Sequence, residues 1–189
     1  MKNITGGINC RLIFCQKNMF YTITDEYIDY LSKENPHVMS NKQETRTYHR
    51  KYIGLVTELN GHKYFVPMSS PKDVDYLPNG DIKKDSLIKI YMRNKKVLYG
   101  TIRFNYMIPV PASELEEVTV NDEGDFKYKI LMQSEYFFIN SNRDKIEKTA
   151  VRLHKMRTTY NPERNKNKLM EITLDFVSLE KMCDEYNKK

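Results

Sequence analysis

The sequence has few of the residues that common cofactor and metal motifs require. It contains only 7 glycines in 189 residues, none in a GxGxxG or GKS/T context, which argues against a nucleotide-binding loop. Its 3 cysteines, Cys10, Cys15 and Cys183, have neither CxxC nor Cys/His spacing, so we expect no disulfide framework and no structural zinc. The 4 histidines are scattered and no HExxH motif occurs. We therefore predict a protein without cofactor or metal.

Long apolar runs are also absent. No run approaches the roughly 20 residues that span a bilayer, and Ile8–Phe14 is too short and too interrupted for a signal peptide. We expect a cytoplasmic protein with no membrane partner. Lysine and arginine (31) outnumber aspartate and glutamate (25), and the formal charge of +6 fits both a polyanion-binding protein and many ordinary basic domains.

The order of the periodic segments predicts the fold. Residues 1–18 match nothing that follows and form a predicted extension, either disordered or an added strand, ahead of a single domain at 19–189. The β-prone runs lie in the first half of the chain, at Phe20–Ile23, Arg46–Lys72, Leu87–Met92 and Val97–Tyr106. This order predicts an α+β fold, with a strongly twisted, mainly antiparallel sheet flanked by helices.

Helical spacing dominates the last third of the chain. Apolar residues recur at helical intervals from Tyr128 to Met156, with a break near Ser141-Asn142 that separates two predicted helices. Ile172–Leu174 is predicted to be a last short strand, and Asp175 to cap a final helix. An earlier short helix is expected after Thr24, a good N-cap residue.

A β-hairpin between Arg46 and Lys72 has a register that can be counted. Its two strands flank Asn60-Gly61, the residue pair typical of a type I′ turn. The counted partners are Leu59 with His62, Glu58 with Lys63, Thr57 with Tyr64, Leu55 with Val66 and Lys51 with Ser70. The opposite charges of Glu58 and Lys63 favour this count. The open end of the hairpin should then gather cations and hydroxyl groups.

The residues expected at that open end suit RNA cleavage. They are Tyr48, His49, Arg50 and Lys51 on one strand and Ser69, Ser70 and Lys72 on the other. In RNA the substrate's own 2′-hydroxyl can attack the phosphate, so the protein need only position the phosphate, stabilise its charge and move protons. The alternative is that hairpin ends commonly carry Ser-Pro turns and solvated cations without any function. The acids of the following loop, Lys72–Asp85, are expected to be solvated at the surface.

Four blocks of the sequence resemble a known family. FYTITDEYIDYL, YIGLVTELNGHKYFVPMSSPK, GTIRFNYMIP and FFINSNRDKI occur in the order found in the ToxN/AbiQ endoribonuclease toxins of type III toxin–antitoxin systems, and they cover Phe20 to about Ile146. The resemblance implies a fold similar to the MazF/Kid toxins. It also implies metal-independent RNA cleavage that leaves a 2′,3′-cyclic phosphate, and a role in phage defence or growth control. The implied inhibitor is a repeated pseudoknot antitoxin RNA in a closed protein–RNA assembly, with no DNA partner.

The resemblance assigns roles to particular residues. The family's T/S-S-P-K motif falls on Ser69, Ser70 and Lys72, and its active-site lysine falls on Arg50, counted back from Gly54. Because arginine does not release its proton at neutral pH, Lys51 would take the proton role, or that role lies elsewhere. The nearest match to an upstream tyrosine of the family is Tyr48. A second family tyrosine aligns with Gln133, which cannot ionise.

Contacts with RNA outside this centre are predicted for a wider set of residues: Arg46, His49, Lys83, Lys84, Arg103, Gln133, Arg152, Arg157 and Arg164, with Tyr76 or Tyr106 stacking on unpaired bases. For each residue singly, the alternative is a solvated charge or a core tyrosine. Two other functions fit the same surface: a non-catalytic RNA-binding module, and a MazF-like toxin that is neutralised by a protein antitoxin.

Overall fold

The structure is a computed structural model that describes residues 20–41 and 50–186. Within these ranges a sheet of seven strands has the order β4-β5-β3-β2-β1-β7, with β6 beside β3, and every pairing is antiparallel. The strands are β1 (Phe20–Ile23), β2 (Tyr52–Leu59), β3 (His62–Ser69), β4 (Lys89–Asn94), β5 (Val97–Arg103), β6 (Ile108–Pro109) and β7 (Leu115–Val118). The α-helices are α1 (Asp25–Glu34), α2 (Phe126–Ser141), α3 (Arg143–Thr158), α4 (Lys168–Glu171) and α5 (Phe176–Tyr186). The predicted α+β class is confirmed.

The helix boundaries follow local capping chemistry. Thr24 caps α1, accepting a hydrogen bond from the Tyr27 N–H at 3.4 Å. The predicted break near Ser141-Asn142 is confirmed, since α2 ends at Ser141 and α3 begins at Arg143. The predicted strand at Ile172–Leu174 is wrong, because an Asn167 cap starts the short helix α4 immediately before it and a turn follows. No helix in the described part of the chain is both long and apolar enough to cross a membrane.

The β2–β3 hairpin has the predicted turn and, beyond it, an altered register. Asn60 and Gly61 have φ values of 50° and 79°, as a type I′ turn requires. The three predicted pairs nearest the turn, from Leu59–His62 to Thr57–Tyr64, are confirmed. Between Ile53 and Thr57 the register then shifts, so that Ile53 lies opposite Val66.

The predicted pairs Leu55–Val66 and Lys51–Ser70 are therefore wrong. Between the pairs Ile53–Val66 and Thr57–Tyr64, β2 has three residues where β3 has one, so β2 carries two extra residues. One of the three is Gly54, whose lack of a side chain suits a bulge. The Lys51 carbonyl instead accepts a hydrogen bond from the Met68 N–H at 3.0 Å. The shift of two residues moves Lys51 along β3 but leaves it on the same face of the sheet.

The closed tip of the hairpin is bound to two helices by a buried carboxylate. Glu180 of α5 accepts a hydrogen bond from the Tyr64 hydroxyl at 2.8 Å, lies 2.7 Å from His154 Nε2 of α3, and accepts another from Asn60 Nδ2 at 3.2 Å. The His154 ring stacks on Phe176, with 5.5 Å between centroids. The hairpin is thus held to α3 and α5, and its open end points away from them along β2 and β3.

Replacing Glu180 by alanine should lower the free energy of unfolding by about 3 kcal/mol, because the buried Tyr64 hydroxyl and His154 ring lose their shared acceptor. Urea denaturation measures this loss. The matched control is Asp184→Ala, which removes the more exposed partner of His62 and should cost at most about 1 kcal/mol. Equal losses in the two variants would contradict a central role for Glu180.

Candidate active site

The open end of the hairpin brings predicted site residues together at the end of β3. Arg50 is buried, and its Nη1 donates to the Met68 carbonyl at 3.3 Å. Ser69 ends β3 and is half-buried, whereas Ser70 and Lys72 beyond it are exposed. Arg50 and Lys51 therefore lie beside the strand end that leads into the Ser-Ser-Pro-Lys segment. The predicted residues Arg46, Tyr48 and His49 lie outside the described residues.

The Lys51 side chain packs against α2. The side chain is 9% exposed, and its Nζ lies 3.6 Å from Glu123 Oε2, 3.1 Å from Met132 Sδ and 4.1 Å from the centroid of the Tyr128 ring. Burial lowers the pKa of Lys51 from its usual value, and the Glu123 carboxylate opposes the change. The ammonium group is thus held in a poorly solvated place.

Glu135 is a second buried ionisable group at this end of the hairpin. It is 8% exposed, and burial raises its pKa to about 7, against the opposing charge of Lys51. Its carboxyl group fills the space that a side chain at residue 100 would occupy. A Cβ atom at Gly100 would lie 2.7 Å from Glu135 Oε1 and 3.1 Å from the Ser69 carbonyl oxygen. Glu135 therefore lies close to the Ser69 carbonyl at the end of β3.

Sequence reasoning missed Glu135, although the sequence carries a signal for it. The residue lies three positions after Met132 and four before Ile139, on the buried stripe of α2. A glycine in the interior of a strand, as at Gly100 in β5, commonly marks the close approach of another group. Together these two features indicate a buried acid packed against the sheet.

The segment after Ser70 is held by Asp75. The Asp75 carboxylate accepts a hydrogen bond from the Lys72 backbone N–H at 2.9 Å and pairs with Lys89 Nζ at 2.7 Å. Asp75 is 1% exposed, so the prediction that the acids of this loop are solvated is wrong for this residue. Lys89 supplies the counter-charge that makes its burial possible. The backbone at Lys72 is thereby anchored while its side chain stays exposed.

Some of the residues predicted to contact RNA contact other residues of the protein instead. The carbonyl group of Lys83 accepts a hydrogen bond from Arg93 Nη1 at 3.2 Å, and Lys84 is exposed. The Arg103 guanidinium lies 5.1 Å from the centroid of the Tyr106 ring, so that ring already carries a cation on one face. Arg103 lies in β5, Tyr106 in the short turn after it, and Lys83 and Lys84 in the loop that follows Lys72.

The remaining predicted contacts are spread over the helices. Arg157 donates from Nε to the Thr173 carbonyl at 3.1 Å and pairs with Asp175 at 3.3 Å, which ties α3 to the segment before α5. Gln133 is exposed on α2, and Arg152 and Arg164 are exposed as well. Arg152 lines an open cavity of about 540 Å³ along α3, with Asp144 and Glu147 toward its N-terminal end and Lys148, Arg152 and Lys155 after them. In the described ranges, no three His, Cys, Asp or Glu side chains gather as a metal site.

Comparison with known proteins identifies the family of this chain. A family model described as toxin ToxN of the type III toxin–antitoxin system matches residues 19–184. The chain belongs to this ToxN family. The resemblance found in the sequence blocks is confirmed, and the match extends into α5, beyond the last of those blocks.

Individual ToxN relatives cover nearly the whole chain. The endoribonuclease ToxN of Bacillus thuringiensis subsp. kurstaki is 32% identical over 173 residues, which is 90% of this chain and 84% of that protein. The endoribonuclease AbiQ of Lactococcus lactis subsp. lactis is 30% identical over 179 residues, 90% of each chain.

Solved structures agree with this assignment. One, from work on selective toxin inhibition by a non-coding RNA pseudoknot in type III toxin–antitoxin systems, has a TM-score of 0.76 and 30% identity over 92% of this chain and all of that chain. Another, AbiQ, a lactococcal anti-phage endoribonuclease, has a TM-score of 0.73 and 29% identity, with the same coverage.

Glu135→Gln should flatten the dependence of stability on pH. Burial raises the pKa of the Glu135 carboxyl group from its usual 4.5 to about 7. Between these two pH values the carboxyl group keeps its proton in the folded protein, whereas the unfolded chain has lost it. Stability should therefore fall by on the order of 3 kcal/mol as pH rises from about 4.5 to about 7, and the fall should be absent in the glutamine variant. Urea denaturation across this range measures the difference.

The control for that measurement is Glu123→Gln, which removes the other carboxylate beside Lys51. This variant should keep the fall in stability with rising pH. Parallel curves for the wild type and Glu135→Gln would show that Glu135 keeps its ordinary titration in the folded protein.

Proposed function

We propose that this ToxN-family protein is a cytoplasmic endoribonuclease that cleaves RNA without a metal ion, through attack of the 2′-hydroxyl, and leaves a 2′,3′-cyclic phosphate. The observation that carries the proposal is the end of β3, where exposed Ser70 and Lys72 follow a strand flanked by Arg50 and Lys51. Its relatives are named endoribonucleases, which supports the same reaction class here.

In this proposal, some side chains at the end of β3 contact the phosphate and others support the strand end. Ser70 and Lys72 hold the non-bridging oxygens of the scissile phosphate, assisted by Ser69, and stabilise the charge that grows on those oxygens. Arg50 supports the strand end through the Met68 carbonyl. Lys51 adds positive charge from a poorly solvated place, where it acts over a longer distance than in water.

Proton transfer in this scheme uses Lys51 and two residues that shortly precede it in the sequence. The 2′-hydroxyl must lose a proton and the leaving 5′-oxygen must gain one. Burial lowers the pKa of the Lys51 amine from its usual value, toward neutral pH. Tyr48 and His49 are the other proposed carriers, as the sequence pattern indicates.

The inhibitor in this proposal is an antitoxin RNA. A related toxin of known structure belongs to a system described by selective inhibition by a non-coding RNA pseudoknot, and AbiQ is described as an anti-phage endoribonuclease. We therefore propose a repeated pseudoknot RNA as the antitoxin, a closed protein–RNA assembly, and a role in phage defence or growth control. The net charge of +6 suits a protein that must hold a folded RNA.

Incubation of the purified protein with RNA in excess EDTA tests the proposed activity. Discrete cuts are expected, with cyclic phosphate at the new 3′ ends and no cut where the nucleotide before the scissile bond is 2′-deoxy. Ser70→Ala together with Lys72→Ala should slow cleavage by about 10²- to 10⁴-fold, because charge on the phosphate oxygens loses two partners.

The control for that double variant is Lys63→Ala, which removes an exposed cation near the closed tip of the same hairpin and should cleave normally. Undiminished cleavage by the double variant, or a requirement for metal, would overturn the proposal. Binding to RNA with a steep salt dependence and no cut would instead identify a non-catalytic RNA-binding module.

A further inference from the structure

Glu135 is a buried acid without a hydrogen-bonding partner among the described residues. It is 8% exposed, and no hydrogen bond or ion pair within 4 Å joins its carboxyl group to another residue of the described ranges. The carboxyl oxygens keep some contact with solvent, since neither is among the fully buried polar atoms of the described residues that lack a partner. Because no hydrogen bond holds this carboxyl group in one charge state, its charge is free to change with pH.

The surroundings of Glu135 connect it to the strand end. Its Oε1 and the Ser69 carbonyl oxygen both lie about 3 Å from the point that a Cβ atom of Gly100 would occupy. On the same helix, Tyr128 and Met132 contact the Lys51 ammonium group. Glu135 and Lys51 are close enough for each charge to affect the titration of the other. The acid thus lies near the end of β3, just before the residues proposed to hold the phosphate.

We propose that Glu135 is a positioning residue whose proton sets the net charge beneath the phosphate site, so that RNA binds well while the acid is neutral and less well once it ionises. The inference rests on the proposed function, since it assumes that the scissile phosphate lies at Ser70 and Lys72. While the acid is neutral, Lys51 faces one carboxylate, that of Glu123. Once Glu135 ionises, a second negative charge opposes that of Lys51 and repels the phosphate.

The groups around Glu135 support a titration in the neutral range. The residues of β4 and β5 that meet the Gly100 recess, Met92 and Gly100 itself, carry no charge. The facing cation is Lys51, and Glu123 faces that same ammonium group from the turn before α2. Burial, the dominant cause, raises the pKa of Glu135 to about 7. A change of pH near neutrality therefore switches one charge beneath the site.

The test compares the wild type, Glu135→Gln and Glu123→Gln between pH 5.5 and 8.5. Equilibrium binding uses an RNA with a 2′-deoxy nucleotide at the cut site, and steady-state cleavage of the unmodified RNA gives kcat and KM separately. For the wild type, the Kd and KM should rise about tenfold as pH increases through about 7. Glu135→Gln should lack this component of the rise and keep its kcat within a few-fold, whereas Glu123→Gln should retain the rise.

A merely structural role would change affinity by the same factor at every pH, so parallel binding curves for the wild type and Glu135→Gln would overturn the inference. That failure is distinct from failure of the proposed function. If the wild-type protein cuts no RNA in EDTA, the proposed function fails. If it cuts and the pH profiles of the two proteins run parallel, only the inference fails.

A second pair of variants tests the geometry without RNA. Gly100→Ala should lower the urea midpoint of unfolding in the wild-type background, because the new methyl group meets the Glu135 carboxyl and its neighbours. In a Glu135→Ala background the same change removes that clash and should lower the midpoint less. Equal shifts in both backgrounds would show that the carboxyl group does not occupy the recess, and would overturn the inference.

Discussion

The β2–β3 hairpin is fixed at both ends, and the remaining features of the site depend on this. At the tip, Glu180 binds Tyr64, His154 and Asn60, so the turn cannot slide over α3 and α5. At the open end, the Lys51 carbonyl and the Arg50 guanidinium bind the backbone of Met68. Because both ends are held, the end of β3 has a defined place relative to α2.

Several buried charged groups lie around that strand end, and their burial is not explained by a gain in stability. Lys51 with Glu123, Asp75 with Lys89, and the solitary Glu135 all lose water on folding, and buried ionic groups commonly cost as much free energy as their attraction returns. Proteins tend to depart from optimal packing where function requires it. The concentration of such groups around the end of β3 and the segment after it fits the proposal that a polyanion is bound there.

The parts of this structure that could be predicted from the sequence are those fixed by local chemistry. Asn60-Gly61 specified the turn, and the break at Ser141-Asn142 specified the boundary of two helices. The bulge in β2 escaped the count because it depends on pairing along the whole strand. The burial of Asp75 could not be predicted because its counter-charge, Lys89, lies 14 residues later, in β4. Glu135 escaped because a charged residue on an apolar stripe is ordinarily assigned to the surface.

The Ser-Ser-Pro-Lys segment is anchored through its backbone, and its side chains take no part in that hydrogen bond. Asp75 holds this segment through the backbone N–H of Lys72, a group that every residue except proline supplies. The side chains at residues 70 and 72 can thus be exchanged without releasing the loop. If Ser70 and Lys72 hold the phosphate as proposed, a variant changed at both residues would keep the backbone of this segment in place while losing cleavage, and such an inert protein could be produced in living cells to isolate the RNA that it binds.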